Sequence, residues 1–289
     1  MFFTKRKIKY FILIILFSGA VFIWFAIFTF ADNEFLEVCF FDVGQGDSIF
    51  IETPNRKQIL IDGGPDKTIL EKLNKAMPFY DRTIDLLILT HPDADHITGL
   101  VSALEYYDVK YILTSGIEND TAVYKKWRDL IKEKNIPLIL AQSGQKIFLD
   151  QDIFLEIIWP EQSLIESFSK PTNNASVVGR LVYGDIEFLL TGDIEKKVEQ
   201  HLISQNLNLE SDIFKVPHHG SKTSSSYNFI KMINPQISVI SVGEDNRYKH
   251  PNDEVLERLK DSVIYRTDKD GDIKILTDGI LFDILTIYE

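Results

Sequence analysis

The chain has 289 residues, 45% hydrophobic and 26% charged, a balance typical of a globular protein that excludes a disordered, collagenous or low-complexity chain. A formal net charge of −12 argues against a surface built for broad, non-specific phosphate contacts, which call for basic patches, although bound metal can still supply positive charge locally. The single cysteine, Cys39, excludes an internal disulfide and, within the apolar run from Val38 to Phe41, reads as a small buried hydrophobe.

Lys5, Arg6, Lys7 and Lys9 precede an uncharged run from Tyr10 to Ala31, and Asp32, Glu34 and Glu37 follow it. The run is long enough to cross a hydrocarbon core of about 30 Å. Its flanks predict a single-pass cell-membrane anchor over residues 1–33, with the N-terminus cytoplasmic and the remainder outside. The rival reading is a secretory signal cleaved near Thr29-Phe30-Ala31, against which stands the length of the apolar run.

From Phe35 the pattern turns to short strands. Leu36–Val43, Ser48–Thr53 and Gln58–Asp62 alternate with turns at Gly44–Asp47 and Pro54–Lys57, and helical spacing follows over Lys67–Met77. Asp85–Thr90 reads as a strand buried on both faces. Gly99–Tyr107 and Ala122–Asn135 read as helices, with strands at Tyr111–Thr114, Ile136–Ala141 and Ile153–Trp159. The second half repeats the style. Ser176–Tyr183 and Ile186–Thr191 form a hairpin, Ile194–Gln205, Ser225–Ile233 and Asn252–Lys260 are helices, and Ile213–Val216, Ile237–Val242 and the tail are strands. With no linker between the halves, the sequence predicts one domain over 34–289, made of two sheets packed face to face and covered by helices.

The chemistry sits at strand ends. His91-Pro92-Asp93-Ala94-Asp95-His96 brings two imidazoles and two carboxylates within six residues, a set that is costly to bury without a cation and suited to zinc, manganese or iron. Read as an extended segment, it points His91, Asp93 and Asp95 one way and His96 the other. The competing reading is a solvated turn with Asp95 as a helix cap. Thr191-Gly192-Asp193 and Pro217-His218-His219-Gly220-Ser221 end two further strands, and His250 precedes Pro251. His201, in the polar stretch Glu199–His201, reads as facing solvent. The other five of the six histidines stand where they can converge.

These residues resemble the H-x-H-x-D-H signature of metallo-β-lactamase-fold hydrolases, with Asp93 in place of the second histidine. The set Phe41–Asp47, Thr90–His96, Leu190–Asp193, Val216–Ser221 and Asn246–Pro251 is similar to the ComEC-type competence hydrolase domain over residues 36–260. The resemblance implies a four-layer αββα sandwich after the one N-terminal transmembrane helix. It also implies two divalent metals, zinc or manganese: His91 and Asp93 on one, Asp95, His96 and His218 on the other, and Asp193 bridging. His218 and His219 are interchangeable at this level, and Asp95, His219 and His250 are the candidate catalytic side chains. Where the wider fold has a further histidine, this chain reads Thr172-Asn173-Asn174-Ala175-Ser176, which leaves the first metal with fewer, harder ligands. Asn174, Ser221, Lys222, Arg247 and Lys249 are the candidate substrate contacts, with Thr223, Ser224 and Ser225 as further hydroxyl donors.

The expected activity is phosphodiester cleavage of DNA outside the membrane by a hydroxide held between the metals, with a DNA-uptake complex as the expected partner. Small-molecule ester or lactone hydrolysis on the same fold and a non-catalytic docking role in an uptake machine are the alternatives. One apolar span excludes a channel made by this chain itself.

Overall fold

A computed structural model describes residues 2–30 and 35–288, in two compact units that divide between Glu34 and Phe35. The first is a single helix, α1 (Phe2–Phe30). Its stretch Lys7–Phe25 is, among the described residues, the one helix long and apolar enough to cross a membrane, with mean hydropathy 2.2. Those 19 residues rise about 28 Å at 1.5 Å each. Ala31 of the cleavage candidate and the acidic flank residues Asp32 and Glu34 lie outside the described residues. Glu37, placed by the sequence in that flank, is instead a strand residue whose carboxylate pairs with Lys274 at 2.6 Å.

The second unit runs, in chain order, β1 (Leu36–Phe40), β2 (Ile49–Glu52), β3 (Gln58–Ile61), α2 (Thr68–Ala76), β4 (Thr83–Leu89), α3 (Ala94–Tyr106), β5 (Asp108–Thr114), α4 (Ala122–Lys134), β6 (Leu138–Leu140), β7 (Lys146–Asp150), β8 (Ile153–Trp159), α5 (Ile165–Phe168), β9 (Val178–Tyr183), β10 (Ile186–Leu190), α6 (Lys196–Ser204), β11 (Ile213–Lys215), α7 (Tyr227–Ile233), β12 (Ile237–Ile240), α8 (Asp253–Arg258), β13 (Val263–Arg266), α9 (Thr267–Asp270), β14 (Asp272–Thr277) and β15 (Phe282–Ile287). One sheet has the order β15-β14-β1-β2-β3-β4-β5-β6, the other β13-β12-β11-β10-β9-β8-β7. The chain fills the first sheet, then the second, and returns to lay β14 against β1, pairing Leu36 with Thr277 and Phe40 with Ile273.

Strand alternation builds the layers. Leu36, Val38 and Phe40 of β1 face the space between the sheets, where they meet Leu155, Leu181 and Phe188 of the second sheet. Cys39 and Phe41 point to the opposite face, where Ile69, Leu100 and Trp127 of α2, α3 and α4 cover them. The outer face of the second sheet packs Leu189, Phe214 and Ile240 under Val198, Phe229 and Val255 of α6, α7 and α8. The result is the four-layer α/β/β/α sandwich, and Cys39 is a buried free thiol. Three short elements escape the sequence reading. β7 alternates weakly because it is an exposed edge, and α5 and α9 are single turns too short for a periodic signal.

Two corrections bear on the site. The helix after the histidine cluster begins at Ala94 rather than at Gly99, so Asp95 and His96 stand in its first turn and Asp93, not Asp95, holds the N-cap position. The reason is a close approach of backbones. The Gly63 N–H donates to the His96 carbonyl at 2.8 Å and the Gly99 N–H donates to the Gly64 carbonyl at 3.0 Å, which a side chain on either glycine would prevent. His201 does not face solvent. Its ring packs edge-on to Trp159 and against Phe168, and Nε2 lies 2.8 Å from Glu161.

A Cβ at Gly99 would sit 1.8 Å from the Gly63 carbonyl oxygen. Gly99→Ala is expected to cost at least about 1–3 kcal/mol and to lower the midpoint of thermal unfolding of the full chain in detergent by several degrees. An unchanged midpoint would show that the two backbones do not meet.

Candidate metal centre

Buried hydroxyls, a carboxylate and a carbonyl orient the site's three inner imidazoles. His96 sits in the first turn of α3 with Nδ1 2.8 Å from Asp62 Oδ2. Asp62 is itself fixed by the Thr90 N–H at 2.9 Å and hydroxyl at 2.6 Å. His219 Nδ1 lies 2.8 Å from the Ser241 carbonyl. His91 Nδ1 lies 3.1 Å from Thr90 Oγ1 and 3.3 Å from Ser176 Oγ. Both hydroxyl protons are already given elsewhere, to Asp62 and to the Asn173 carbonyl, so they accept from His91 Nδ1–H. Each ring therefore has its Nδ1 proton engaged and turns Nε2 inward, the usual way a protein sets up imidazole as a metal ligand.

All three Nε2 atoms are buried without a hydrogen-bond partner, as is Asp193 Oδ1. Unsatisfied buried polar atoms on this scale are rare and are what a missing cation would leave. The spacing fits one. Asp193 Oδ2 lies 3.3 Å from both His96 Nε2 and His219 Nε2, and His219 Nε2 lies 3.5 Å from Asp95 Oδ2. Ligand bonds of about 2.0–2.2 Å in tetrahedral geometry put neighbouring donors about 3.3–3.6 Å apart. A second, thinner group joins His91, His96 and Asp193, whose donors lie within 4.8 Å of one another. His91 Nε2 is 3.8 Å from Asp93 Oδ2. Asp93 is the loosest member, a third exposed and tied to the Thr172 hydroxyl at 2.7 Å. Residues of both groups share Asp193.

The pair His218-His219 is now ordered. Both have left-handed backbone, φ 51° and 53°, and the turn sends their rings apart. His219 enters the cluster. His218, the ligand expected from the sequence, instead faces outward, with Nδ1 3.6 Å from Glu195 and 3.3 Å from Thr223 Oγ1. His250 does not reach the ligands either; its ring lies edge-on to His218 and stacks on Tyr248. Asn174 is buried, its amide oxygen accepting the Glu195 N–H at 3.0 Å, while Asn173 is the one that meets the His218 ring. Ser221 is buried beside Thr223. Lys222 and Lys249 are exposed, and Arg247 lines the cleft above the cluster.

Three residues of the centre were not foreseen. Asp62 orients His96. Asp47 lies 3.4 Å from His219 Nδ1. Lys215, fully buried in β11, places its ammonium on Asp47, 3.0 Å from the Gly192 carbonyl and 3.6 Å from Asp193 Oδ1. The available signal was Asp47 within the Gly44–Asp47 turn and one lysine in the apolar stretch Ile213–Val216.

The charges are strongly coupled. Burial alone would lift the acid groups and lower the imidazoles. For Asp193 the neighbouring His219 and His96 outweigh it and hold the carboxyl well below its ordinary range. The imidazoles of His96 and His219 are raised well above theirs, because Asp193 and their own partners, Asp62 and Asp47, outweigh burial. Asp95 is lowered, the neighbouring imidazoles of His219 and His96 outweighing burial. Burial, reinforced by His96, takes His91 down to about 4. Lys215 is raised because Asp47 and Asp193 outweigh its burial.

A cleft of 650 Å³ is lined by Asp93 and Asp95 together with Gln45, Pro65, Asn119, Thr121 and residues 245–248. Asp93 and Asp95 thus connect a buried set of nitrogen and oxygen donors to an open cleft, a fitting place for a divalent metal that also contacts substrate.

A model of the Metallo-beta-lactamase superfamily matches residues 41–244. The chain is 32% identical over 258 residues to ComE operon protein 3 of Bacillus subtilis, covering 82% of this chain and 32% of that protein. It is 29% identical over 275 residues to Competence protein ComA of Neisseria gonorrhoeae, covering 89% of this chain and 35% of that protein. It therefore spans about a third of the length of these curated relatives. Among solved structures, the metallo-beta-lactamase fold protein YhfI of Bacillus subtilis superposes with a TM-score of 0.54 at 11% identity, over 83% of this chain and 99% of that one, a likeness of fold alone.

Two outcomes follow. In the metal-free protein the raised His96 and His219 carry protons that a metal must displace. Their contribution to metal-free stability is complete below about pH 6.5 and is lost as pH rises through the raised values; His91, lowered to about 4, acts the other way, losing stability as pH falls from about 6.5 to 4. Titration calorimetry in buffers of different ionisation enthalpy should find up to about two protons released per metal near neutrality; none released would exclude the charged pair. Lys215→Met leaves Asp47 buried without its cation and should cost about 3–5 kcal/mol, read as a lowered unfolding midpoint. An unaffected midpoint would mean that Asp47 finds another partner.

Proposed function

The chain belongs to the metallo-beta-lactamase superfamily, and from that premise we propose that it is a membrane-anchored, metal-dependent hydrolase that cleaves phosphodiesters of nucleic acid. The observation that carries the reading is the convergence of three unpartnered, buried imidazole nitrogens with Asp193 and with Asp95, which lines an open cleft. A relative named as a competence protein and the ComEC-type motif order support nucleic acid as substrate and a DNA-uptake assembly as partner. Helix α1, with its basic flank, supports an anchor that leaves residues 34–289 as the hydrolase unit outside the cell membrane.

In this reading Asp95, His96, His219 and Asp193 hold one divalent metal, His91 and Asp93 with Asp193 a second. The bound metal supplies a Lewis acid for the phosphoryl oxygen and brings a water towards neutral pKa. The side chains do the rest. Asp62, Thr90 and Ser241 keep the three rings in the one tautomer that leaves Nε2 free, so the site is organised before substrate arrives. Asp95, at the cleft floor, orients the attacking water. His218, half-buried beside Glu195 and with its ring 6.2 Å from that of His219, is the imidazole outside the ligand group that can hand a proton to the departing oxygen. Zinc and manganese both match the donors; Asp93 and the shared carboxylate favour the harder ion at the thinner position.

The test uses the full chain in detergent, stripped of metal and reloaded with zinc or manganese separately, on single- and double-stranded DNA. Cleavage that requires metal and falls by at least about a thousandfold in Asp95→Ala/His219→Ala supports the reading and identifies the ion. Turnover of a lactone or thioester with no cut DNA would replace it with small-molecule hydrolysis.

A further inference from the structure

The part of the cleft lined by residues 245–248 carries a feature that the metal centre does not use. Tyr248 is half exposed, 51%, although it is large and aromatic and stands beside the catalytic floor. On it lies the Arg247 guanidinium, 4.8 Å from the ring centroid with one nitrogen 2.6 Å from the phenol oxygen. The His250 ring stacks on it too, at 5.7 Å and 16° between planes. Three flat groups thus form one pile at the mouth of the cleft.

The pile is rigidly mounted. The Asn246 side chain donates to the carbonyls of Gly243 and His250 at 2.9 and 2.8 Å and accepts the His250 N–H at 2.8 Å, closing residues 243–250 on themselves. The Gly243 N–H reaches Gln45 Oε1 at 3.3 Å, and a Cβ on Gly243 would meet the Gln45 backbone at 2.7 Å. The loop is therefore seated on the same glycine-rich turn that carries Asp47. A ring held this way loses little freedom when a ligand lands on it.

Charge decides what the ligand is. Asp93, Asp95 and Asp245 line the cleft, and Arg247 is the one cation among its described lining residues. A duplex held by its phosphates needs many such contacts. A planar, unpaired base needs an aromatic or guanidinium face, and stacking on one contributes affinity without phosphate contacts. We propose that the Arg247 guanidinium, held over the Tyr248 ring with His250 as backing, is the outer face of a nucleobase platform that binds an unstacked base of a single strand beside the scissile phosphodiester. The inference rests on the phosphodiesterase reading of the metal centre and names its substrate class. Tyr248 and Arg247 are positioning residues here; they set where the strand lies and take no part in bond breaking.

The experiment compares cleavage of a short single-stranded oligonucleotide with that of the same strand made abasic around the cut, by the metal-loaded full chain. Wild type should show a KM lower for the base-bearing strand by roughly 5- to 100-fold, the range for one stacked base. Tyr248→Ala should abolish the difference between the two strands, and Tyr248→Trp should restore it. With one cation contributing, log KM should rise with log salt at a slope near 0.7; a slope of several would place the affinity in phosphate contacts and overturn the platform, as would equal KM values for the two strands in wild type. Binding of an uncleavable methylphosphonate oligonucleotide carrying 2-aminopurine separates this inference from the hydrolytic one. Quenching that is lost in Tyr248→Ala, in a protein that cuts neither strand, leaves the platform standing and the hydrolase reading fallen. Cleavage with no effect of Tyr248→Ala does the reverse, and no quenching at all removes the platform.

Discussion

Buried negative charge is the constraint to which the rest of this structure answers. Asp47, Asp62 and Asp193 lie within the ends of the two sheets with almost no contact with water, where an unpaired carboxylate costs far more than the whole domain's margin of stability. One cation is built into the chain, Lys215, and the imidazoles of His96 and His219 supply others when protonated. The fold thus holds a reservoir of negative charge that protons or metal must balance. Competition between those two cations links the site's occupancy to pH.

The arrangement also explains why the surrounding loops are rich in glycine. His96 reaches the cluster because the first turn of α3 can be laced to Gly63 and Gly64, and that lacing needs bare backbone at Gly63 and Gly99. Gly46, where a Cβ would lie 2.2 Å from the Asp95 carbonyl, lets the turn carrying Asp47 slide under the same helix end. Packing and chemistry are set by the same residues, so a substitution in these turns acts on both.

Much of this was legible in the chain. The αββα layering follows from short alternating strands and amphipathic helices, and His91, Asp93, Asp95, His96 and Asp193 announce themselves at the ends of apolar strands. What stayed hidden did so for physical reasons. His218 and His219 are neighbours of one type, and only the left-handed turn between them decides which ring enters. Asn173 and Asn174 are the same problem in amide form. Lys215 sits in a strand that reads as plain sheet, and its partner Asp47 is 168 positions earlier, a pairing that no local pattern encodes. His201 looked solvated because its own neighbours are polar, whereas Trp159 and Phe168, which cover it, come from elsewhere in the chain.

The return of the chain to its first sheet has a consequence for how the protein is made. Strand β1 is an inner strand, yet one of its two neighbours, β14, is supplied by residues 272–277, and Asp272 there accepts the Asp42 N–H at 2.7 Å and pairs with Lys72 at 2.9 Å. Contacts of such sequence separation form late. During vectorial synthesis the first sheet would wait half-finished, its open edge exposed, while more than two hundred residues emerge. Assembly of the turn beneath the metal centre is thereby tied to arrival of the last strands.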